Sequence, residues 1–145
     1  KNFGLLALAR HIIHFRRQHP ILRNKEHYSN RDYKESGYAD ITFHGTKAWH
    51  ADWSESNTVF AFMLDGHHAK NGFVKDDTIY VAANMHWDAL EFELPQLSEN
   101  RKWYLSVNTS MAPPETFYPL QCEPVLENQS GFIVGGRSVI VLIGK

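Results

Sequence analysis

Two apolar runs decide the fold of this chain: residues 58–64, TVFAFML, and residues 78–83, TIYVAA. Both runs have strand length, are rich in β-branched and aromatic residues, and lack a helical period. The first run ends at Asp65-Gly66, which is a turn signal. Runs of this kind are typical of strands that are buried on both faces, so the sequence predicts a β-rich core.

The C-terminal half continues the β pattern. Residues 90–94, LEFEL, alternate apolar and acidic side chains, which predicts a half-buried strand. Residues 103–107, WYLSV, predict another strand with Trp103 in the core. Residues 131–134 and 138–143 flank a glycine pair and predict a closing hairpin. Short strands at regular spacing favour an antiparallel β-sandwich.

A helical pattern precedes the β region. Apolar residues recur there at spacings of three and four, namely at Leu5, Leu8, Ile12 and Phe15. This stripe predicts a helix over about residues 3–18, and Pro20 ends it. A single helix cannot bury such a stripe by itself, so it packs either on the rest of the chain or on another surface.

The charge distribution divides the chain. Residues 1–35 carry eight Lys or Arg and three Asp or Glu, whereas residues 36–145 carry seven and thirteen. Such asymmetry suggests two structural units. Residues 21–56 are polar and irregular, as in a linker or a functional loop. We therefore predict a helical unit over residues 1–20, a connecting segment over 21–56 and a β-sandwich over 57–145.

Composition excludes several functional classes. A net charge of −1 argues against nucleic-acid binding, and no apolar run reaches the length of a membrane span. Cys122 is the single cysteine, which favours a reducing compartment and leads us to expect a cytoplasmic protein. The nine histidines lack the HExxH spacing and accompanying cysteine pairs, so neither a metal site nor a cofactor is predicted.

Catalytic residues are not evident, whereas three tryptophans are candidates for binding. Glu91 and Glu93 share one strand face, and neighbours of this kind normally form the solvated side of a sheet. Trp49, Trp53 and Trp87 lie in loop-like stretches beside polar residues, as do indoles on which sugar rings stack. The alternative is that these indoles are local hydrophobic anchors of their loops.

Several short segments in a fixed order carry a family resemblance. They are residues 16–20 (RRQHP), 40–45 (DITFHG), 52–53 (DW), 80–84 (YVAAN), 94–95 (LP) and 137–142 (RSVIVL). Together they resemble the C-terminal end of isoamylase-type glycogen debranching enzymes of the α-amylase superfamily. The chain departs from the pattern at Phe43, where a tryptophan is expected in that family.

The resemblance implies that the first helix is the last helix of a (β/α)8 barrel and that the sandwich is the domain after the barrel. In that family the catalytic carboxylates belong to the barrel, so no catalytic residue is carried onto this chain and the chain alone is expected to be inactive. The barrel and α-glucan are the implied partners. The stripe of Leu5, Leu8, Ile12 and Phe15 is also expected to drive self-association when no barrel covers it.

Two other functions remain open at this stage. The chain is an α-glucan-binding module that acts by itself through Trp49, Trp53 or Trp87, or it is an independent enzyme that uses loops rich in His and Asp. Retardation in glycogen gels would distinguish the first alternative, and release of reducing sugar would distinguish the second.

Overall fold

Seven strands in two antiparallel sheets follow one helix in the computed structural model, which describes residues 2–70 and 75–145. The helix α1 spans Phe3–Gln18, and short 3-10 turns span Pro20–Arg23 and Gly66–His68. The strands are β1 (Ile41–His44), β2 (Val59–Leu64), β3 (Thr78–Asn84), β4 (Leu90–Glu93), β5 (Trp103–Asn108), β6 (Gly131–Val134) and β7 (Ser138–Gly144). No helix in these residues is both long enough and apolar enough to span a membrane.

The main sheet has five strands in the order β1-β2-β3-β7-β5, and β4 and β6 form a second, two-stranded sheet. The two predicted core runs become β2 and β3, which pair along their whole length from Val59 opposite Asn84 to Leu64 opposite Ile79. The prediction of a mainly β, antiparallel fold after one N-terminal helix is therefore confirmed.

The core lies between the two sheets. Tyr80 and Leu142 on the main sheet, and Phe92 and Val134 on the small sheet, belong to one buried cluster. Trp103 completes this cluster, as its sequence position predicts, and its indole Nε1 donates to the Pro95 carbonyl oxygen at 2.9 Å. A buried indole needs such an acceptor, because an unpaired N–H away from water is costly.

The opposite face of the main sheet carries α1. Phe15 and Ile21 pack with Leu64, Ile79 and Ile143 in a second buried cluster. These sheet residues alternate with those of the first cluster, as the two-residue period of a strand requires. The layers are therefore α1, main sheet and small sheet.

A polar contact fixes the end of α1. The Asp76 carboxylate bonds His19 Nδ1 through Oδ1 at 2.9 Å, and its Oδ2 accepts from the Ile21 backbone N–H at 2.9 Å. Both His19 and the Asp76 side chain are buried. This contact joins the C-terminal end of the helix to the chain just before β3.

The helix has the predicted bounds, but only half of the predicted stripe is packed. Phe15 is buried and Leu8 is half-buried, whereas Leu5 and Ile12 point to solvent. The inward face instead includes His11, whose ring stacks on Phe117 at 4.5 Å. A polar His thus takes a core-facing position that an apolar-only pattern does not reveal.

Phe3, at the start of α1, is 74% exposed. Four further large apolar side chains remain uncovered along one side of the helix: Leu5, Leu6, Ile12 and Ile13, which are between 48% and 60% exposed. We call this set the exposed apolar face of α1. A contiguous apolar face of this size on a folded domain marks an interaction surface.

Two sequence expectations about the strands need correction. The sheet extends into the segment 21–56, because β1 pairs with β2 from Ile41 opposite Leu64 to His44 opposite Ala61. A strand of four residues is too short for its alternation to stand out from polar surroundings. The assignment of residues 1–20 to a barrel remains a prediction.

The prediction that residues 131–134 and 138–143 form a hairpin is also wrong. β6 pairs with β4 in the small sheet, whereas β7 pairs with β3 and β5 in the main sheet. Gly135 and Gly136 carry the chain between the sheets, and a Cβ on Gly136 would lie 2.0 Å from the Trp87 carbonyl oxygen. The glycine is needed for this close approach and not for a two-residue turn.

Candidate functional site

The structure places Trp49 and Trp53 in the lining of one cavity of about 500 Å³ beside β1, whereas Trp87 does not belong to that cavity. Trp49 is 48% exposed, Trp53 is 68% exposed and Trp87 is 75% exposed. Each also has a different aromatic or cationic neighbour, namely Tyr38 for Trp49, Phe43 for Trp53 and Arg137 for Trp87. Their surroundings decide what each indole can do.

Trp49 lies on the side of the small sheet. Its ring is parallel to that of Tyr38, with an interplanar angle of 7° and a centroid distance of 6.0 Å. It also lies 4.8 Å from the ring of His44, which contacts Tyr80 in the core between the sheets. The Tyr38 hydroxyl donates to the Gln96 carbonyl oxygen at 2.6 Å, and this hydrogen bond fixes the position of the Tyr38 ring beside Trp49.

His44 holds the backbone of Trp49. The Trp49 N–H donates to His44 Nδ1 at 2.8 Å, and His44 Nε2 lies 2.8 Å from the Thr42 hydroxyl. Trp49 has φ of 68°, in the left-handed region, which is costly for a residue with a bulky side chain. The buried His44 is therefore part of what maintains this unusual backbone.

The protonation state of His44 matters for this contact. Burial lowers the pKa of His44 to about 4. The imidazole is consequently neutral at pH 7, and its Nδ1 accepts the Trp49 N–H while Nε2 carries the proton. Protonation of Nδ1 would remove that acceptor.

A cavity of about 650 Å³ opens beside Trp49. We call it the Trp49 cavity; its walls are formed by Ala48, Trp49, Glu93, Leu94, Gln96, Leu97, Arg101, Trp103, Gln129 and Ser130. The lining combines one exposed indole with carboxylate, amide, hydroxyl and guanidinium groups. Such a mixture of an aromatic surface and a few polar groups is typical of small-molecule sites.

Trp53 lies on the other side of the main sheet. Its ring meets Phe43 edge-on at 5.3 Å and Phe60 at 5.7 Å. Phe43 pairs with Phe62, which packs beside the cluster that contains Phe15 of α1. Trp53, Phe43 and Phe60 form an aromatic patch on the α1 side of the sheet.

Trp87 is covered by a cation. The guanidinium carbon of Arg137 lies 3.2 Å from the centre of the Trp87 ring. One face of this indole is therefore already stacked. The exposed Trp87 is a less suitable platform for a sugar than its exposure alone indicates.

A histidine cluster that sequence reasoning missed surrounds the buried Asp65. Its Oδ1 lies 2.8 Å from His67 Nδ1, and its Oδ2 accepts from the Ser36 hydroxyl at 2.6 Å. His68 Nε2 lies 3.3 Å from that hydroxyl and 3.5 Å from Asp65 Oδ2. The sequence neighbours His67 and His68 thus meet one carboxylate, because they lie on a 3-10 turn and not on a strand.

This cluster does not have the geometry of a catalytic triad. The serine and the aspartate both lie near His68 Nε2, whereas His68 Nδ1 is buried without a hydrogen-bond partner among the described residues. A triad places serine and aspartate on opposite ring nitrogens. The Asp65 cluster fixes the turn after β2 and offers no activated nucleophile.

One group in the described part of the chain has spacing compatible with a metal ion: His19, Asp76 and Asp77, whose ligand atoms lie within 4.8 Å of one another. Both oxygens of Asp76 already serve the hydrogen bonds that join α1 to β3. These bonds account for the grouping without an ion.

The paired carboxylates of β4 have no hydrolytic geometry. Glu91 and Glu93 are both exposed on one strand and are separated by the buried Phe92. Glycoside hydrolysis needs two carboxyl groups that face each other across the scissile bond, with the acid held protonated. Glu93 instead belongs to the Trp49 cavity, where its Oε2 accepts from the Ala48 N–H at 3.2 Å.

Comparison with known families defines the class of the protein. Residues 40–143 match the family described as isoamylase, C-terminal. The matched range starts at Asp40, directly before β1, and includes β1 to β6 and all of β7 except Gly144. A search of curated proteins found no match.

The chain therefore belongs to the isoamylase C-terminal domain family. This confirms the resemblance drawn from the ordered segments. It makes the β-sandwich a non-catalytic domain of an isoamylase-type enzyme.

Proposed function

We propose that this chain is the C-terminal region of an α-glucan debranching enzyme, in which it stabilises a catalytic (β/α)8 barrel that hydrolyses α-1,6 branch points. The observation that carries the proposal is the exposed apolar face of α1, composed of Leu5, Leu6, Ile12 and Ile13. In the proposal, α1 is the last helix of the barrel and this face packs on barrel strands.

The energetics support a covered state for this face. Each fully buried Leu or Ile side chain contributes about 1.5–3 kcal/mol relative to an exposed one. A partner that covers the four side chains would gain several times that amount before the cost of association is subtracted. No other set of described residues offers a comparable apolar helix face.

The aromatic patch extends the proposed interface. Trp53, Phe43 and Phe60 lie on the same side of the main sheet as α1. In the proposal the barrel covers this patch together with the helix, which would make Trp53 an anchor between domains. Indoles of this kind are enriched at the centre of interfaces.

The helix α1 is attached to the main sheet by both apolar packing and hydrogen bonds. Phe15 and Ile21 are buried against the main sheet, and Asp76 bonds both His19 and Ile21. In the proposal, the outer face of α1 packs on the barrel and the inner face of α1 packs on the main sheet. The helix would therefore join the barrel to the sandwich. The stabilising role follows from this two-sided packing.

The remaining parts of the proposal follow from the same assignment. The barrel supplies the catalytic carboxylates, and this chain contributes none. The enzyme acts in the cytoplasm, in keeping with Cys122 as the single cysteine. Neither point is needed for the packing argument.

Two proteins test the proposal: the 145-residue chain, and the longer protein that its gene is expected to encode. Both are assayed for reducing sugar released from glycogen and pullulan. We expect the longer protein to cut branch points and the chain to release nothing. Hydrolysis by the chain alone, or a longer protein without a barrel and without activity on branches, would overturn the proposal.

A further inference from the structure

We propose that the Trp49 cavity binds a short segment of α-1,4-glucan, as a holding site separate from the chemistry of hydrolysis. The choice of glucan rests on the proposed function, whereas the cavity and its chemistry stand on the structure. The site would keep a branched polymer near the enzyme while its branches are cut.

The cavity has a suitable size and composition. Its volume of about 650 Å³ falls within the usual range for small-molecule sites, about 300–1,000 Å³. One wall is an exposed indole and the others carry polar groups. A sugar ring presents the same combination, with apolar C–H faces and hydroxyls around its edge.

Trp49 is a preformed stacking platform. Tyr38 lies parallel to it, His44 lies beside it, and the His44 ring accepts its backbone N–H. Because the indole is already held, little side-chain freedom is lost when a ligand stacks on it. Almost half of the residue is exposed, which leaves surface for a pyranose ring.

Polar groups around the cavity can receive the sugar hydroxyls. Glu93 uses Oε2 to accept from Ala48, and its other carboxylate oxygen has no hydrogen bond within the described ranges. A carboxylate is the strongest acceptor available for a hydroxyl pair. Gln96 and Ser130 add an amide and a hydroxyl to the same lining.

Other lining groups hold the shape of the cavity. Arg101 donates to the Thr78 hydroxyl at 2.7 Å, and the Gln129 amide bonds the backbone of Trp103 from both of its ends. These side chains are engaged before any ligand arrives. The site is therefore built from fixed walls and a few free polar atoms, as specific binding requires.

The Trp49 cavity lies on the side of the small sheet, across the main sheet from α1. His44 and Tyr80 connect Trp49 to the core on the side of the small sheet, whereas α1 and the aromatic patch lie on the opposite side of the main sheet. Trp49 borders the aromatic patch on one side, since it shares a cavity of about 500 Å³ with Phe43 and Trp53, and it lines the Trp49 cavity on the side of the small sheet. In the proposal the barrel covers the first of these cavities and leaves the Trp49 cavity open to a polymer. The two proposed functions therefore use different faces of one domain.

Affinity electrophoresis of the 145-residue chain in gels with and without glycogen tests the site. Calorimetry with maltoheptaose then measures the dissociation constant. We expect glycogen to retard the chain and Trp49→Ala to abolish the retardation. The dissociation constant for maltoheptaose should rise about tenfold or more, since a stacking partner is lost.

Trp87→Ala is the matched control. Trp87 is more exposed than Trp49 but does not line the Trp49 cavity, and Arg137 stacks on one face of its ring, so we expect the retardation to stay unchanged. Glu93→Gln is a second variant that keeps an acceptor for the Ala48 N–H and removes the charge at the cavity. It should weaken maltoheptaose binding several-fold. If Trp49→Ala does not fold, an unchanged dissociation constant in Glu93→Gln would contradict binding in the Trp49 cavity.

Three results would overturn this inference: no retardation of the unaltered chain, full retardation of a folded Trp49→Ala, or equal losses in Trp49→Ala and Trp87→Ala. None of these results affects branch hydrolysis by the longer protein, which tests the proposed function separately. Glycogen binding by a protein whose longer form cuts no branches would support the cavity and overturn the proposed function.

Discussion

At the scale of single residues, the contact between His44 and Trp49 links the buried core to an exposed surface. His44 is fully buried, and its Nδ1 accepts the N–H of a residue with a left-handed backbone. The sequence shows Trp49 as a loop indole but gives no sign of its contact with His44, because the four residues of β1 lie within a polar and irregular stretch.

This contact predicts a pH dependence of stability. Burial lowers the pKa of His44 from the ordinary value of 6.5 to about 4, so the unfolded chain binds more protons than the folded chain between these values. The stabilisation is present above about pH 6.5 and is lost as the pH falls towards 4. The loss for this group amounts to about 3 kcal/mol.

Urea unfolding at several pH values between 7 and 4 measures this effect, with His44→Asn as the comparison. Asparagine keeps a polar acceptor near the Trp49 N–H but does not titrate. We expect its free energy of unfolding to depend less steeply on pH than that of the unaltered chain. Equal slopes in the two proteins would contradict the role given to His44.

At the scale of elements, the sequence predicted where most elements lie but not what they contact. The helix follows from its apolar period, and six of the strands follow from apolar runs of strand length that are either continuous or alternating. The partners of β6 did not follow, because Gly135 and Gly136 look like a hairpin turn and in fact cross between sheets. Local patterns carry little information about such long-range pairing.

For the helix, too, the local sequence pattern predicts the element but not its contacts. Its bounds were predictable from Pro20 and the apolar stripe, whereas its inward face was not, because His11 and the contact with Phe117 occupy that face. The predicted stripe of Leu5, Leu8, Ile12 and Phe15 therefore coincides only in part with the face that packs on the sheet. Half of it is packed in this domain, and the other half is available to a partner.

A pair of substitutions on α1 distinguishes its two faces. Phe15→Ala should lower the free energy of unfolding of the chain by about 3–5 kcal/mol, because Phe15 is buried against Ile79 and Ile143. Ile12→Ala should change it by less than about 0.5 kcal/mol, since Ile12 is exposed. Chemical unfolding followed by circular dichroism gives both values, and similar losses in the two variants would contradict the packing described for α1.

At the scale of the whole molecule, the domain has two distinct sides. The α1 side carries the exposed apolar face and the aromatic patch, whereas the side of the small sheet carries the Trp49 cavity. The sequence predicted indoles beside polar groups as candidates for sugar binding, and that binding stays a prediction. It did not predict which tryptophan, since that choice depends on Tyr38, Phe43 and Arg137, which pack against the three indoles.

The uncovered helix face has a consequence for the isolated chain. Without a barrel, the exposed apolar face of α1 should pair with a second copy, because about half of each of its four side chains otherwise stays in water. Light scattering should report a dimer or larger species, and Leu5→Glu should shift it towards the monomer. His14→Glu, an exposed position outside this face, is the control, and a strict monomer of the unaltered chain would contradict the expectation.

The most direct test of the central claim is the temperature at which the longer protein loses its activity on branched glucan. Ile12→Glu places a charge on the face that the barrel is proposed to cover, and His14→Glu places the same charge beside it. We predict that Ile12→Glu loses activity at a clearly lower temperature than both the unaltered protein and His14→Glu, while its kcat/KM at moderate temperature stays unchanged. Equal inactivation temperatures in all three proteins would contradict the account.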